Sequence, residues 1–216
     1  MSELKPGLPP DEVEKMRWQV FGQKRACMLK SADELVLFVE RRGLVLVGPA
    51  PGLHYPSAVE AAVGRPLLEF VHDERSAQVR VWFEASVKAG RLARGALQDR
   101  YEAILAPSIV VDVLAAGASR PLDVALRALA AARPKDAKKA AKTNPAQARA
   151  RLAARVLQNV LVVAAHELAR LFAWTEADAS AALRAVAAAG EAAVHPASRP
   201  RRETFQTRAT NLLDDA

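Results

Sequence analysis

The segment HELARLFAWTEADASAALRAVAAAGE, residues 166–191, constrains the fold more than any other part of the chain. Apolar residues at helical spacing stop at Ala173-Trp174 and resume after Thr175. Thr175 suits an N-cap, and Asp178 three positions later stands where a capping box usually carries Glu or Gln. Ala179, Leu183 and Val186 then recur at i, i+4 and i+7, the buried stripe of a helix. Gly190 supplies a left-handed stop. The segment therefore predicts two short helices around a tight turn. The first covers about 164–172, with Leu168 and Leu171 turned inward and Ala169 small enough for close approach. Trp174 reads as a core plug in preference to a base-stacking platform, and His166 as a cap of the first helix.

The flanks extend this unit. In TNP, Asn144 is a cap and Pro145 occupies the first helical position. A helix is expected over 145–158, anchored by Leu152, Val156 and Leu157. Downstream, EAAVH and TFQTR bracket PASRPRRE, a hairpin with an arginine tip and His195 at its base. Three helices followed by a basic hairpin is the layout of a winged helix-turn-helix, expected over 145–210.

Earlier in the chain the punctuation is similar. Residues 1–29 form an N-terminal arm whose first part is Pro-rich and acidic. Ser31 and Glu34 make a capping box before Leu35, Phe38 and Val39, and Gly43 ends that helix. LVLV then reads as a buried strand closed by Gly48-Pro49. YPSAVEAAVGRP is a further short helix, with Ser57 as cap and Gly64 as stop. DERSAQVRVWFEASVKAG is a longer amphipathic helix with Val79, Phe83 and Val87 on one stripe. ALQDRYEAILAP is extended, and SIVVDVLAAGA and PLDVALRALAAA are apolar helices. Together they predict a winged-helix-like α/β module over 30–132. The fold class is mainly α with small β-hairpins.

Charge separates the two parts. Residues 1–132 hold 17 Lys/Arg against 16 Asp/Glu, whereas 133–216 hold 14 against 8. Nearly all of the net +7 therefore lies in the last third of the chain, a pattern that fits a polyanionic partner or a plain solvated face. Residues 133–156 carry eight basic side chains and one acid, Asp136. Residues 133–144 are read as a basic linker presenting Lys138, Lys139 and Lys142.

No catalytic constellation emerges. His54, His72, His166 and His195 are isolated, without HExxH spacing, and neither a phosphate loop nor GxSxG occurs. In HDE (72–74) adjacent residues rarely converge on one ion, and Asp73 stands where a helix cap is needed. Cys27, the single cysteine, excludes an internal disulfide and lacks a neighbouring histidine. No metal or cofactor is expected. No apolar run approaches the ~18 residues that span a bilayer, and MSELKPGLPPDEVEKM lacks the apolar stretch of a secretory signal. A reducing cytosol, with the protein associated with the nucleoid, is the expected setting.

Beyond single segments, the layout of ELVLFVERRGLVLVGP…HYPSAVEAAVGRP (34–66), HDE with its long helix, RYEAIL, and RLAARVLQ…HELARLF resembles the short AlkZ-related proteins. These are small bacterial relatives of the winged-helix DNA glycosylases that unhook interstrand crosslinks. The resemblance spans about residues 32–208. It implies tandem winged-helix modules and a link to DNA repair or DNA binding. The glycosylases' catalytic Gln-x-Gln motif occurs nowhere in this chain, and WFEAS stands where the short relatives carry Trp-Lys-Asp. No catalytic role therefore transfers to any position.

The expected function is non-enzymatic DNA binding, duplex or damaged and branched, in repair or genome maintenance. The binding residues are Thr175, Ser180 and Arg184 on the second helix of the pair, Arg199, Arg201, Arg202 and Arg208 around the hairpin tip, and Lys138, Lys139 and Lys142. Base readout in the major groove needs forked or amide side chains. With Glu176, Ala177, Ser180, Ala181 and Arg184 facing outward, the inventory favours phosphate contact over a sequence code. A sequence-specific transcriptional regulator, a protein-interaction scaffold and a glycosylase with unfamiliar catalytic residues are the competing readings. The Ala-rich helix over 121–132 offers either a homodimer interface or a buried monomer face.

Overall fold

Short helices alternate with two small antiparallel sheets. The computed structural model describes residues 29–47, 73–96, 102–118, 120–160, 162–195 and 204–207. The arm before residue 29, the helix expected over 55–66 and the hairpin tip lie outside the described residues. The first half comprises α1 (Ala32–Arg42), β1 (Leu44–Val47), α2 (Asp73–Lys88), β2 (Ala93–Ala96) and β3 (Glu102–Leu105). Three helices follow, α3 (Pro107–Ala116), α4 (Arg120–Ala132) and α5 (Pro134–Ala140). The second half comprises α6 (Pro145–Val160), β4 (Val162–Ala164), α7 (Ala165–Phe172), α8 (Glu176–Ala188), β5 (Ala192–His195) and β6 (Thr204–Thr207). The strand orders are β1-β3-β2 and β4-β6-β5. In each sheet the last strand thus sits in the middle, between the lone first strand and its hairpin partner. No helix among the described residues is long and apolar enough to cross a membrane.

Local signals account for most element boundaries. Ser31 Oγ accepts the Glu34 N–H, while the Glu34 carboxylate accepts the Lys30 N–H, so the box closes one residue further upstream than its usual form. Gly43, at φ +74°, donates its N–H to Val39 and ends α1. Asn144 Oδ1 accepts the N–H groups of Ala146 and Gln147 at the start of α6. Ala173 closes α7 in the left-handed conformation, at φ 52°. Three elements escaped the sequence reading. The strands β2 and β4 are too short for their alternation to register, and the expected linker is helical from Pro134, a residue well suited to the first turn of a helix.

The core is continuous across the two halves. Leu44, Leu105, Ile109, Val110 and Leu129 pack in one cluster with Leu152, Val156, Leu168, Leu183 and Phe205. A satellite cluster holds Leu35, Val39, Val79, Phe83, Leu92 and Ile104. Two units of this size would each bury a smaller fraction of their surface alone than one larger body does, and sharing a core makes up that difference. The hub is α6, against which α3 and α8 both pack closely. Ala148 and Ala153, both fully buried, let the neighbouring helices approach.

Polar groups fix how the halves meet. Arg155 Nη1 donates to the Arg41 carbonyl (3.1 Å) and Asn159 Nδ2 to the Arg42 carbonyl (2.9 Å). Residues 155 and 159 are i and i+4 on α6, so one face of α6 closes the C-terminal end of α1. A Cβ placed on Gly43 would lie 2.9 Å from Arg155 Cγ. Gly43→Ala is therefore expected to destabilise the fold by about 1–2 kcal/mol through its left-handed backbone alone, plus the cost of displacing Arg155. Urea denaturation monitored by circular dichroism measures this, and an unchanged midpoint would show that α1 does not depend on the contact.

Candidate nucleic-acid interface

The exposed side of α8 follows from its cap and its buried stripe. Thr175 Oγ1 accepts the Asp178 N–H (3.1 Å) and donates its own proton to the Asp178 carboxylate (2.8 Å). The shorter aspartate thus grips the cap hydroxyl itself, where a Glu would reach back to the cap backbone. Arg149 of α6 pairs with the same carboxylate. Thr175, expected to contact DNA, has its hydroxyl committed to this arrangement. Ala179, Ala182, Leu183 and Val186 face the core, and Glu176, Ala177, Ala181, Arg184, Ala185 and Ala188 face solvent. Arg184 is thus an exposed cation in an alanine field. Ser180 is half-buried, turned further from solvent than the sequence spacing implied.

The turn before α8 is structural. Trp174 is 9% exposed, stacks on Phe172 at 4.5 Å between ring centroids, and donates Nε1–H to the Gly117 carbonyl at 2.8 Å. It is a core plug, and both its faces and its donor serve the fold. His166 is exposed and does not cap α7; the Glu167 carboxylate accepts the Ala164 N–H instead (2.9 Å). The hairpin is present, with Ala192 opposite Thr207 and His195 opposite Thr204. The connection between His195 and Thr204 contains Arg199, Arg201 and Arg202. Those three, and Arg208, lie outside the described residues.

Within residues 133–156 the structure divides the eight cations by type. Arg133 Nε binds Asp136 (2.8 Å) and its Nη1 donates to the Gly90 carbonyl beyond α2 (3.2 Å). Arg149 Nε donates to the Ala116 carbonyl at the end of α3 (3.1 Å). Arg151 spans the Asp112 carboxylate, Nε reaching both oxygens at 3.0 and 3.1 Å. That hydrogen bonding raises the Arg151 pKa above its ordinary value, opposed in part by burial and aided further by the carboxylate's charge. Arg155 caps α1. All four arginines are committed to the fold, three of them to carbonyls at helix C-termini, where a cation complements the dipole.

The four lysines stay in solvent. Lys135, Lys138, Lys139 and Lys142 are all exposed, and their ammonium groups have no partner among the described residues. Their positions are i, i+3, i+4 and i+7, which align them on one side of α5 and its following turn. Each like-charged neighbour at that spacing disfavours the helix by about 0.2–0.5 kcal/mol at low salt, eased for Lys138 and Lys139 by their place in the last turn. Lys135 escaped the sequence reading because a linker has no faces; the i+3/i+4 spacing after Pro134 was the available signal. Packing places the two expected groups on different supports. The lysine-bearing α5 rests on α3 and α4, whereas α8 rests on α6, α7 and β5.

A groove of about 410 Å³ lies between α3, α6 and α8, its lining including Ile109, Leu152 and Val186 together with Ala150, Ala154 and Ala185. Its charged lining includes the mutually neutralised Asp112 and Arg151 along with Arg155 and Glu191. In the first half, α2 precedes β2 and β3 as α8 precedes β5 and β6 in the second. Its Glu84 is paired with Arg94 of β2 (2.6 Å), and Arg91 with Asp33 of α1. Exposed pairs of this kind add little stability. Compared with models of known protein families, with characterised proteins and with solved structures, the chain matches none.

Replacing Trp174 by Phe keeps the ring stack and leaves the Gly117 carbonyl without its donor. A loss of about 1–3 kcal/mol is expected, read from the shift in urea midpoint. An unshifted midpoint would mean that water replaces the indole N–H without penalty.

Proposed function

We propose that the protein is a non-enzymatic DNA-binding protein built from two winged helix-turn-helix modules, and that it grips the sugar-phosphate backbone with little base readout. The observation that carries this reading is the unit α6-β4-α7-α8-β5-β6. A tightly turned helix pair leads into a hairpin whose connection holds Arg199, Arg201 and Arg202. The shared order of the two sheets supports a tandem arrangement. On the solvent face of α8, Arg184 stands among alanines. Small side chains let a helix approach a groove closely but carry no donors or acceptors for base edges. Recognition then rests on phosphates and duplex shape. The resemblance to the AlkZ-related proteins supports a setting in genome maintenance, at the nucleoid.

Fluorescence anisotropy with unrelated duplexes, at several salt concentrations, tests the reading. The triple change Arg199→Ala, Arg201→Ala and Arg202→Ala is expected to weaken binding to all duplexes by similar factors. It should reduce the log–log salt slope by about 2.7, at 0.9 per phosphate contact. Arg184→Ala should alter any sequence preference more than bulk affinity. Competition against one preferred sequence is expected to give a specificity ratio well below ~10³; a larger ratio would identify a sequence-specific regulator. Binding to no duplex at any salt concentration would overturn the proposal.

A further inference from the structure

We infer that α5 is a separate phosphate-binding element, whose row of Lys135, Lys138, Lys139 and Lys142 lies along one strand of a nucleic-acid backbone, apart from the surface formed by α8 and its hairpin. The inference rests on the DNA-binding reading above and adds a second contact point to it. Three observations carry it. The four ammonium groups are exposed and have no partner among the described residues. The single acid of the helix, Asp136, is turned away and held by Arg133. Arg133 in turn donates to the Gly90 carbonyl, so α5 is fastened to the end of α2 and its lysine side has a fixed direction.

The spacing suits a phosphodiester chain. Seven residues of helix span ~10 Å, and one strand of a duplex presents about three phosphates over that length. Lysine serves this role as a mobile point charge that tolerates variation in phosphate position, whereas arginine imposes a planar fork. The arginines of residues 133–156 are spent on carbonyls and carboxylates, which leaves the four lysines as the cations of that stretch without such partners among the described residues. An anionic membrane fits less well, because interfacial helices insert large apolar side chains beside their cations. The exposed residues of α5 and its turn other than lysine are Pro134 and Ala141.

The test compares the full-length protein with two quadruple variants by fluorescence anisotropy on a random-sequence duplex between 50 and 200 mM salt. In the first, Lys135, Lys138, Lys139 and Lys142 all become Ala; in the second, all four become Arg. Alanine favours helix, so α5 should persist, and circular dichroism checks that it does. The Ala variant is expected to lose up to ~2.7 from the salt slope, at 0.9 for each of about three phosphates. The unchanged protein then loses on the order of fortyfold more affinity than this variant across that salt range. The Arg variant should keep the full slope. An unchanged slope in the Ala variant, with the hairpin triple variant still impaired, would overturn the role of α5 and leave the DNA-binding reading standing. No duplex binding by the unchanged protein, or binding to anionic phosphatidylserine vesicles alone, would overturn both.

Discussion

The C-termini of α1, α2 and α3 are closed by side chains from later in the chain, and the rest of the architecture depends on that. The carbonyls of Arg41 and Arg42, of Gly90, and of Ala116 and Gly117 each lie at or just beyond the end of a helix. Their donors are Arg155 and Asn159, Arg133, and Arg149 and Trp174. A helix end leaves carbonyls without intrahelical partners, and burying them unpaired is costly. By supplying donors from α6 and its neighbours, the chain binds two small sheet-and-helix units into one body with one main core. Asn159, 4% exposed, is among the few buried polar residues, and its amide is spent on this junction.

The same arrangement changes what the charge means. A stretch with eight cations and one acid reads as a polyanion site, yet half of those cations are internal fasteners. Arginine holds several donors in a fixed plane and stays charged in partly buried surroundings, so it suits carbonyl capping and carboxylate pairing. Lysine, with a strongly hydrated ammonium, remains at the surface. Within residues 133–156 the cations that reach no carbonyl or carboxylate among the described residues are therefore the four lysines of α5 and its turn.

On the proposed reading, α8 contributes shape more than chemistry. Its Thr175 and Asp178 are tied to each other and to Arg149, which fixes the entry of the helix. Its outer side is mostly alanine, with one glutamate, Glu176, and one arginine, Arg184. A rigid, smooth helix held at a set angle is suited to lying against a duplex without selecting among sequences.

Much of the local structure was legible in the residues. Ser31, Asn144-Pro145, Thr175 and Gly43 mark helix ends because capping chemistry acts over three or four residues and needs no distant partner. The 3.6-residue stripes of Val79 and Phe83, or of Ala179, Leu183 and Val186, identify buried faces for the same reason. What only the tertiary structure decided were contacts across large sequence separations. Arg155 with Arg41, Trp174 with Gly117, and Arg149 with Ala116 leave no local trace, since any exposed arginine would give the same pattern of letters. Nor could the sequence tell fastening arginines from free lysines, because that choice depends on which carbonyls come within reach once the helices have packed.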